Sequence, residues 1–138
     1  MGRILAIDYG RKKTGLAVTD PLKIIATGLD TVPSHTLMDF LKNYLKKEKV
    51  ELFVIGYPRR MSGELSESVK YIDPFIKKLK KTFPDIDLKL ADERFTSKMA
   101  FQSMIDGGLK KEARKNKALV DKISATIILQ SFLEQQNQ

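Results

Sequence analysis

The chain has 138 residues, a length suited to one core and too short for two lobes that close over a ligand. Lys and Arg number 25 against 17 Asp and Glu, a formal charge of +8 that suits a polyanionic partner, nucleic acid first. The absence of cysteine excludes a disulfide framework and a thiolate zinc site, and no apolar run approaches the roughly 20 residues that span a bilayer.

The N-terminus opens directly into Arg3-Ile4-Leu5-Ala6-Ile7-Asp8 without a signal-peptide layout, so a cytoplasmic protein with no membrane contact is expected. Ile4 to Ile7 form a short apolar run ending in Asp8-Tyr9-Gly10, and Gly15 to Thr19 follow a basic turn, which reads as a β-hairpin. Beyond a turn at Asp20-Pro21, Ile24 to Val32 supply a third strand in which Gly28 permits a bulge. Ser34 stands in an N-cap position, and Leu37, Leu41, Tyr44 and Leu45 recur at helical spacing up to Lys46-Lys47. Leu52-Phe53-Val54-Ile55 has the unbroken apolar character of a strand buried on both faces, and it stops at Gly56-Tyr57-Pro58.

After Ser66, the positions Val69, Ile72, Ile76, Leu79 and Phe83 make a helical stripe, with Lys77, Lys78, Lys80 and Lys81 on the polar sides and Pro74 a candidate kink. Leu88-Lys89-Leu90 is a short alternating strand that leads into Ala91-Asp92-Glu93-Arg94. Thr96 or Ser97 can cap a helix running to about Asp106, where Gly107-Gly108 stops it. The last helix is expected from about Glu112 to Glu134, with Leu119, Ile123, Ile127 and Gln130 on one stripe and Ser124-Ala125 small enough for close approach to a sheet. Residues 135–138 read as a frayed polar tail. The succession is that of a single α/β domain over residues 1–138, with an antiparallel start and parallel crossovers.

Functional groups of open α/β sheets gather beyond the carboxyl ends of strands, where Asp8 and Asp92-Glu93 stand; Asp121 lies on the last helix. Singly, each acid has an ordinary structural role as turn residue, helix-end charge or ion-pair partner of Arg94 or Lys117. Together they are hard oxygen donors suited to the divalent cations that hydrolyse phosphodiesters. Asp8 is the natural bridging ligand, Glu93 and Asp121 complete the set, and Asp92 is the rival of Glu93. His35, alone before the first helix, reads as a surface or capping residue. Arg11, Lys12 and Lys13, then Arg59 and Arg60, then Arg94 stand beside the acids and are expected to grip the scissile strand, whereas Lys77 to Lys81 read as a solvated helix face. The basic stretch Gly107 to Lys117 is suited to closing over nucleic acid, and Tyr9 and Tyr57 read equally as base-stacking or packing residues.

The run Asp8-Tyr9-Gly10-Arg11-Lys12-Lys13-Thr14-Gly15-Leu16-Ala17 resembles the opening hairpin of the ribonuclease H-like superfamily. With Gly56-Tyr57-Pro58 and Gly63, Asp92 to Ser97, Asp121 to Ala125 and Ile128-Leu129-Gln130 following in order, nearly the whole chain resembles the YqgF family. Members of that family are described both as Holliday junction resolvases and as nucleases that trim the 5′ end of the small-subunit ribosomal RNA precursor. The resemblance implies a ribonuclease H-like, five-stranded mixed sheet flanked by helices, its first three strands antiparallel and two parallel strands added. It also implies a Mg²⁺- or Mn²⁺-dependent site in which Asp8, Glu93 and Asp121 are both catalytic residues and ligands. Better-studied resolvases carry an acid after the fourth strand, where this chain has Gly56-Tyr57-Pro58, so the second carboxylate must come from Asp92-Glu93. The expectation is a nuclease, monomeric or weakly dimeric, acting on RNA ahead of branched DNA. A non-catalytic nucleic-acid-binding module is the bland alternative, and an actin-like ATPase would need a second lobe for which 138 residues leave no room.

Overall fold

A computed structural model of the chain describes residues 2–57, 69–92 and 117–136. The central strand β1 (Arg3–Asp8) pairs antiparallel with β2 (Lys13–Thr19), with Ala6 opposite Ala17 and Asp8 opposite Gly15. On the outer side of β2 lies β3 (Ala26–Pro33), which carries one extra residue, Leu29, between Gly28 and Asp30, the bulge that Gly28 permits. β3 starts later than the sequence reading has it. The amides of Ile24 and Ile25 donate to the Asp20 carboxylate, which removes them from any strand ladder.

On its other side β1 pairs in parallel with β4 (Val50–Tyr57), and β4 with β5 (Asp87–Asp92). The sheet order is β3-β2-β1-β4-β5, the expected antiparallel start with two parallel additions. Parallel neighbours need crossovers. α1 (Leu37–Lys47) carries the chain from β3 to β4, and α2 (Val69–Thr82) lies between β4 and β5. Pro74 does not break α2; Pro74 and Lys70 are both exposed, so the carbonyl that loses its amide partner can turn to water. A last helix, α3 (Lys117–Gln136), runs two residues beyond Glu134.

Strand alternation sorts β1 and β4 between two cores. Leu5, Ile7, Phe53 and Ile55 pack with Leu37 and Leu41 of α1 and with Ile72, Phe75, Ile76 and Leu79 of α2. Ile4, Ala6, Ala17 and Val54 pack on the other face with Ala125, Ile128, Leu129 and Phe132 of α3. β4 is thus buried on both faces, as its apolar run predicts.

The α3 stripe is rotated from the expected one. Ile127 is buried as expected, but Gln130 is exposed, and the side packed on the sheet is centred on Ala125, Ile128, Leu129 and Phe132. Bulky residues surround this helix, so their spacing alone does not choose a face; the small Ala125 does, because it packs with the paired Ala6 and Ala17, and Ser124 beside it is buried as well. Close approach multiplies dispersion contacts that a larger side chain would forbid.

Ser34 is not the N-cap of α1. A 3-10 turn, Ser34–Thr36, intervenes, and the residue before α1 is Thr36, which makes no side-chain capping bond.

Candidate functional site

β1, β4 and β5 end together because they are parallel and in register, Ile7 beside Ile55 and Ile55 beside Leu90. One residue further, Asp8 follows Ile7 on β1 as Gly56 follows Ile55 on β4, and Gly56 pairs with Ala91. Gly15 flanks Asp8 on the other side. The row Gly15, Asp8, Gly56, Ala91 therefore has one functional side chain among the smallest residues available. Asp8 is in phase with Ile4 and Ala6, so its half-buried carboxylate is on the α3 face of the sheet.

The direction of α3 brings its first turns to the same end. Its C-terminal part, with Gln130, Leu133 and Glu134, shares a hollow with Ile24, Ile25 and Ala26 beside the β2–β3 turn, at the amino end of β1. From Leu133 back to Asp121 the helix rises about 18 Å, against about 13 Å from Ile4 to Asp8 along the strand. The backbone of Asp121, one turn before Ala125, is thus carried toward the end where Asp8 stands. Asp92 closes β5, its backbone paired with Tyr57. Glu93, Arg59, Arg60 and Arg94, the expected helix at 96–106 and the basic stretch up to Asn116 lie outside the described residues. Among the described residues no three Asp, Glu or His groups form a cluster.

The basic turn after Asp8 is the best-defined part of the site. Gly10, Arg11, Lys12 and Lys13 line a hollow of about 500 Å³, and the three cationic residues are exposed. The turn is clasped from the end of β3. The Ser34 hydroxyl donates to the Gly10 carbonyl at 2.5 Å and shares a hydrogen bond with the buried Thr14 hydroxyl at 2.9 Å, while the Ser34 amide donates to the Lys12 carbonyl at 2.8 Å. The Arg11 guanidinium lies 4.5 Å above the centre of the Tyr71 ring on α2.

Both tyrosines that flank the acids are engaged by α2. Tyr9 stacks on Phe75 with centroids 4.4 Å apart, and the Tyr57 hydroxyl donates to Asp73 at 2.8 Å. His35 is exposed on the 3-10 turn, and Lys77, Lys78, Lys80 and Lys81 are exposed on α2, in keeping with their expected surface roles. Sequence reasoning missed Ser34 as a clasp and Tyr71 as the seat of Arg11. A serine ahead of a helical stripe carries a local signal for capping, and nothing local reveals a partner 24 residues away.

The surroundings of this site have clear relatives. A protein of Bacteroides fragilis that carries the name "Putative pre-16S rRNA nuclease" is 59% identical over 97% of each chain. One of the same name from Porphyromonas gingivalis is 62% identical over 97% of each. Among solved structures, the Fowlpox virus resolvase in complex with its substrate Holliday junction DNA superposes with a TM-score of 0.63, covering 99% of each chain at 13% identity. That likeness shows the fold, which is the ribonuclease H-like one expected from the opening hairpin. The RuvX family, described as Holliday junction resolvase, matches residues 2–135, and the chain belongs to that family.

Proposed function

We propose that the chain is a divalent-metal-dependent nuclease that processes the precursor of 16S ribosomal RNA, with Asp8, Glu93 and Asp121 as its ligand set. The observation that carries the reading is Asp8 itself, a carboxylate at the end of a central strand, paired with Gly15 on β2, one residue past the Ile7–Ile55 pair with β4, and in phase with the residues that pack on α3. Nuclease activity is supported by family membership and by relatives near 60% identity that share a nuclease name.

Asp92, which closes β5, is the rival of Glu93 in that set. Lys89, whose ammonium lies 5.7 Å from the Phe132 ring centre, and Ala91, packed in the α3 core, belong to the α3 face. A donor set made of carboxylates, in a chain without cysteine, suits Mg²⁺ or Mn²⁺. When bound, such a cation supplies an activated water at neutral pH and positive charge against the phosphoryl oxygens. The protein's own contribution is to hold the carboxylates at the joined strand ends and to bring the phosphate backbone to Arg11, Lys12 and Lys13, with Arg59, Arg60 and Arg94 as further contacts.

The test is a Mn²⁺-supplemented assay on precursor ribosomal RNA and on a four-way DNA junction, each with wild type and Asp8→Asn. Partners that only orient metal ligands cost 10–100-fold when removed, so loss of a ligand should cost at least about a hundredfold. Equal cleavage by Asp8→Asn would overturn the reading. Junction cleavage is the second reading, favoured by the family description, and cleavage of the junction alone would select it. It needs paired active sites, whereas RNA trimming by a monomer or weak dimer in the cytoplasm does not. No helix among the described residues is long and apolar enough to cross a membrane.

A further inference from the structure

The end of the sheet that carries Asp8 has a second hollow, beyond the basic turn and on the α2 side. It measures about 310 Å³. α2 contributes Tyr71, Phe75 and Lys78, which the i, i+4, i+7 spacing sets on one stripe; His35 and Met38 come from the facing 3-10 turn and α1, and Tyr9 from the end of β1. The bland reading is a packing gap where two helices diverge. Three observations weigh against it.

First, Tyr71 is 42% exposed although Ile72, Phe75 and Ile76 around it are buried, so part of its ring is left at the surface beside the Arg11 guanidinium that lies over it. Second, Arg11 belongs to the lining of the first hollow and Tyr71 to that of the second, so the guanidinium–ring contact stands between the two. Third, Lys78 and His35 give the rim polar and cationic groups, and no carboxylate is among its described lining residues. Flat apolar walls, a hydrogen-bonding rim and flanking cations are what a nucleobase and its phosphates require.

We propose that this hollow takes one unpaired base of the polynucleotide whose backbone crosses the basic turn, the base stacking on Tyr71 and the neighbouring phosphates lying between Arg11 and Lys78. The proposal rests on the nucleic-acid reading above and gives it a substrate class, strands with an unpaired base within a few nucleotides of the scissile phosphate. The volume is at the low end for ligand sites, room for one base and not for a base pair. A π-face is common to all bases, so the hollow reads the presence of an unpaired base more than its identity.

The experiment titrates the full chain, in EDTA so that no cleavage occurs, into a single-stranded oligoribonucleotide carrying 2-aminopurine at successive positions. The same oligonucleotide annealed to its complement runs alongside. Wild type should change the fluorescence at one position of the single strand and bind it more tightly than the duplex. Tyr71→Leu should lose that change and weaken single-strand binding about 5- to 150-fold, the range of one base–aromatic stack, while weakening duplex binding far less, through the lost seat of Arg11 alone. Tyr71→Phe should behave as wild type, because stacking does not need the hydroxyl. Lys78→Ala should weaken binding and lower its salt dependence by about one counterion. Tyr71→Leu that retains the signal, or that weakens duplex binding equally, would overturn the proposal, as would Tyr71→Phe that behaves like the leucine variant. Asp8→Asn should keep the fluorescence change; if it cleaves like wild type, the nuclease assignment fails while this base-binding result stands apart from it.

Discussion

Gly10 marks the tightest point of the basic turn, because a Cβ there would stand 2.4 Å from the Lys13 carbonyl oxygen, a backbone atom that cannot swing aside. Ser34 fixes the same turn from outside, satisfying the Gly10 carbonyl with its hydroxyl and the Lys12 carbonyl with its amide. Ser34→Ala keeps the amide bond but leaves the Gly10 carbonyl and the buried Thr14 hydroxyl short of a partner. Unmet polar groups of this kind cost about 1–3 kcal/mol each when buried, and water can reach part of this cluster. A loss of about 1–2 kcal/mol is expected, measured as a lower urea midpoint with an unchanged m-value. An unchanged midpoint would mean that the clasp contributes nothing.

At the scale of elements, the β2–β3 turn shows how a short segment is held without a core. The Asp20 carboxylate accepts from the amides of Leu22, Ile24 and Ile25, Lys23 takes a left-handed φ of 61°, and its ammonium pairs with Glu51 at the start of β4. The hydrogen bond from the Ile25 amide, foremost, holds the Asp20 carboxyl below its ordinary pKa of 3.8. A carboxylate whose pKa is depressed on folding stabilises the folded state fully above its unfolded value and ceases to as pH falls through the folded one. Asp20→Asn keeps an acceptor that does not titrate. The stability gap between wild type and Asp20→Asn should therefore be flat above about pH 5 and shrink below about pH 4, followed by urea unfolding across that range. A gap independent of pH would refute the role of the charge. The same turn marks the limit of what sequence can tell. Apolar character alone makes Ile24 and Ile25 look like strand, while the carboxylate that claims their amides sits four and five residues upstream. The face of α3 was illegible by bulk and legible by smallness, through Ser124 and Ala125. Asp8 was legible because strand end, glycine turn and family motif coincide; its flanking Gly56 becomes meaningful only once β4 is in register beside β1.

Over the whole molecule, a charge of +8 draws in any polyanion, so affinity alone cannot say where nucleic acid binds. The fold allows position to be separated from net charge. Lys12 and Lys13 stand at the end of the sheet that holds Asp8, whereas Lys80 and Lys81 occupy the last turn of α2, which leads down to the start of β5 at the opposite end. All four are exposed, so neutralising either pair with glutamine removes the same charge and leaves the core intact. Each phosphate contact on a single strand contributes a slope of about 0.7 in log K against log salt. If the substrate crosses the basic turn, Lys12→Gln with Lys13→Gln should reduce the slope by about 1.4, and Lys80→Gln with Lys81→Gln should change it far less. Equal reductions from both pairs would mean that the molecule binds through its overall field rather than through the acid-bearing end. A large change from the α2 pair alone would move the interface to the opposite end, away from Asp8, and separate binding from the proposed chemistry.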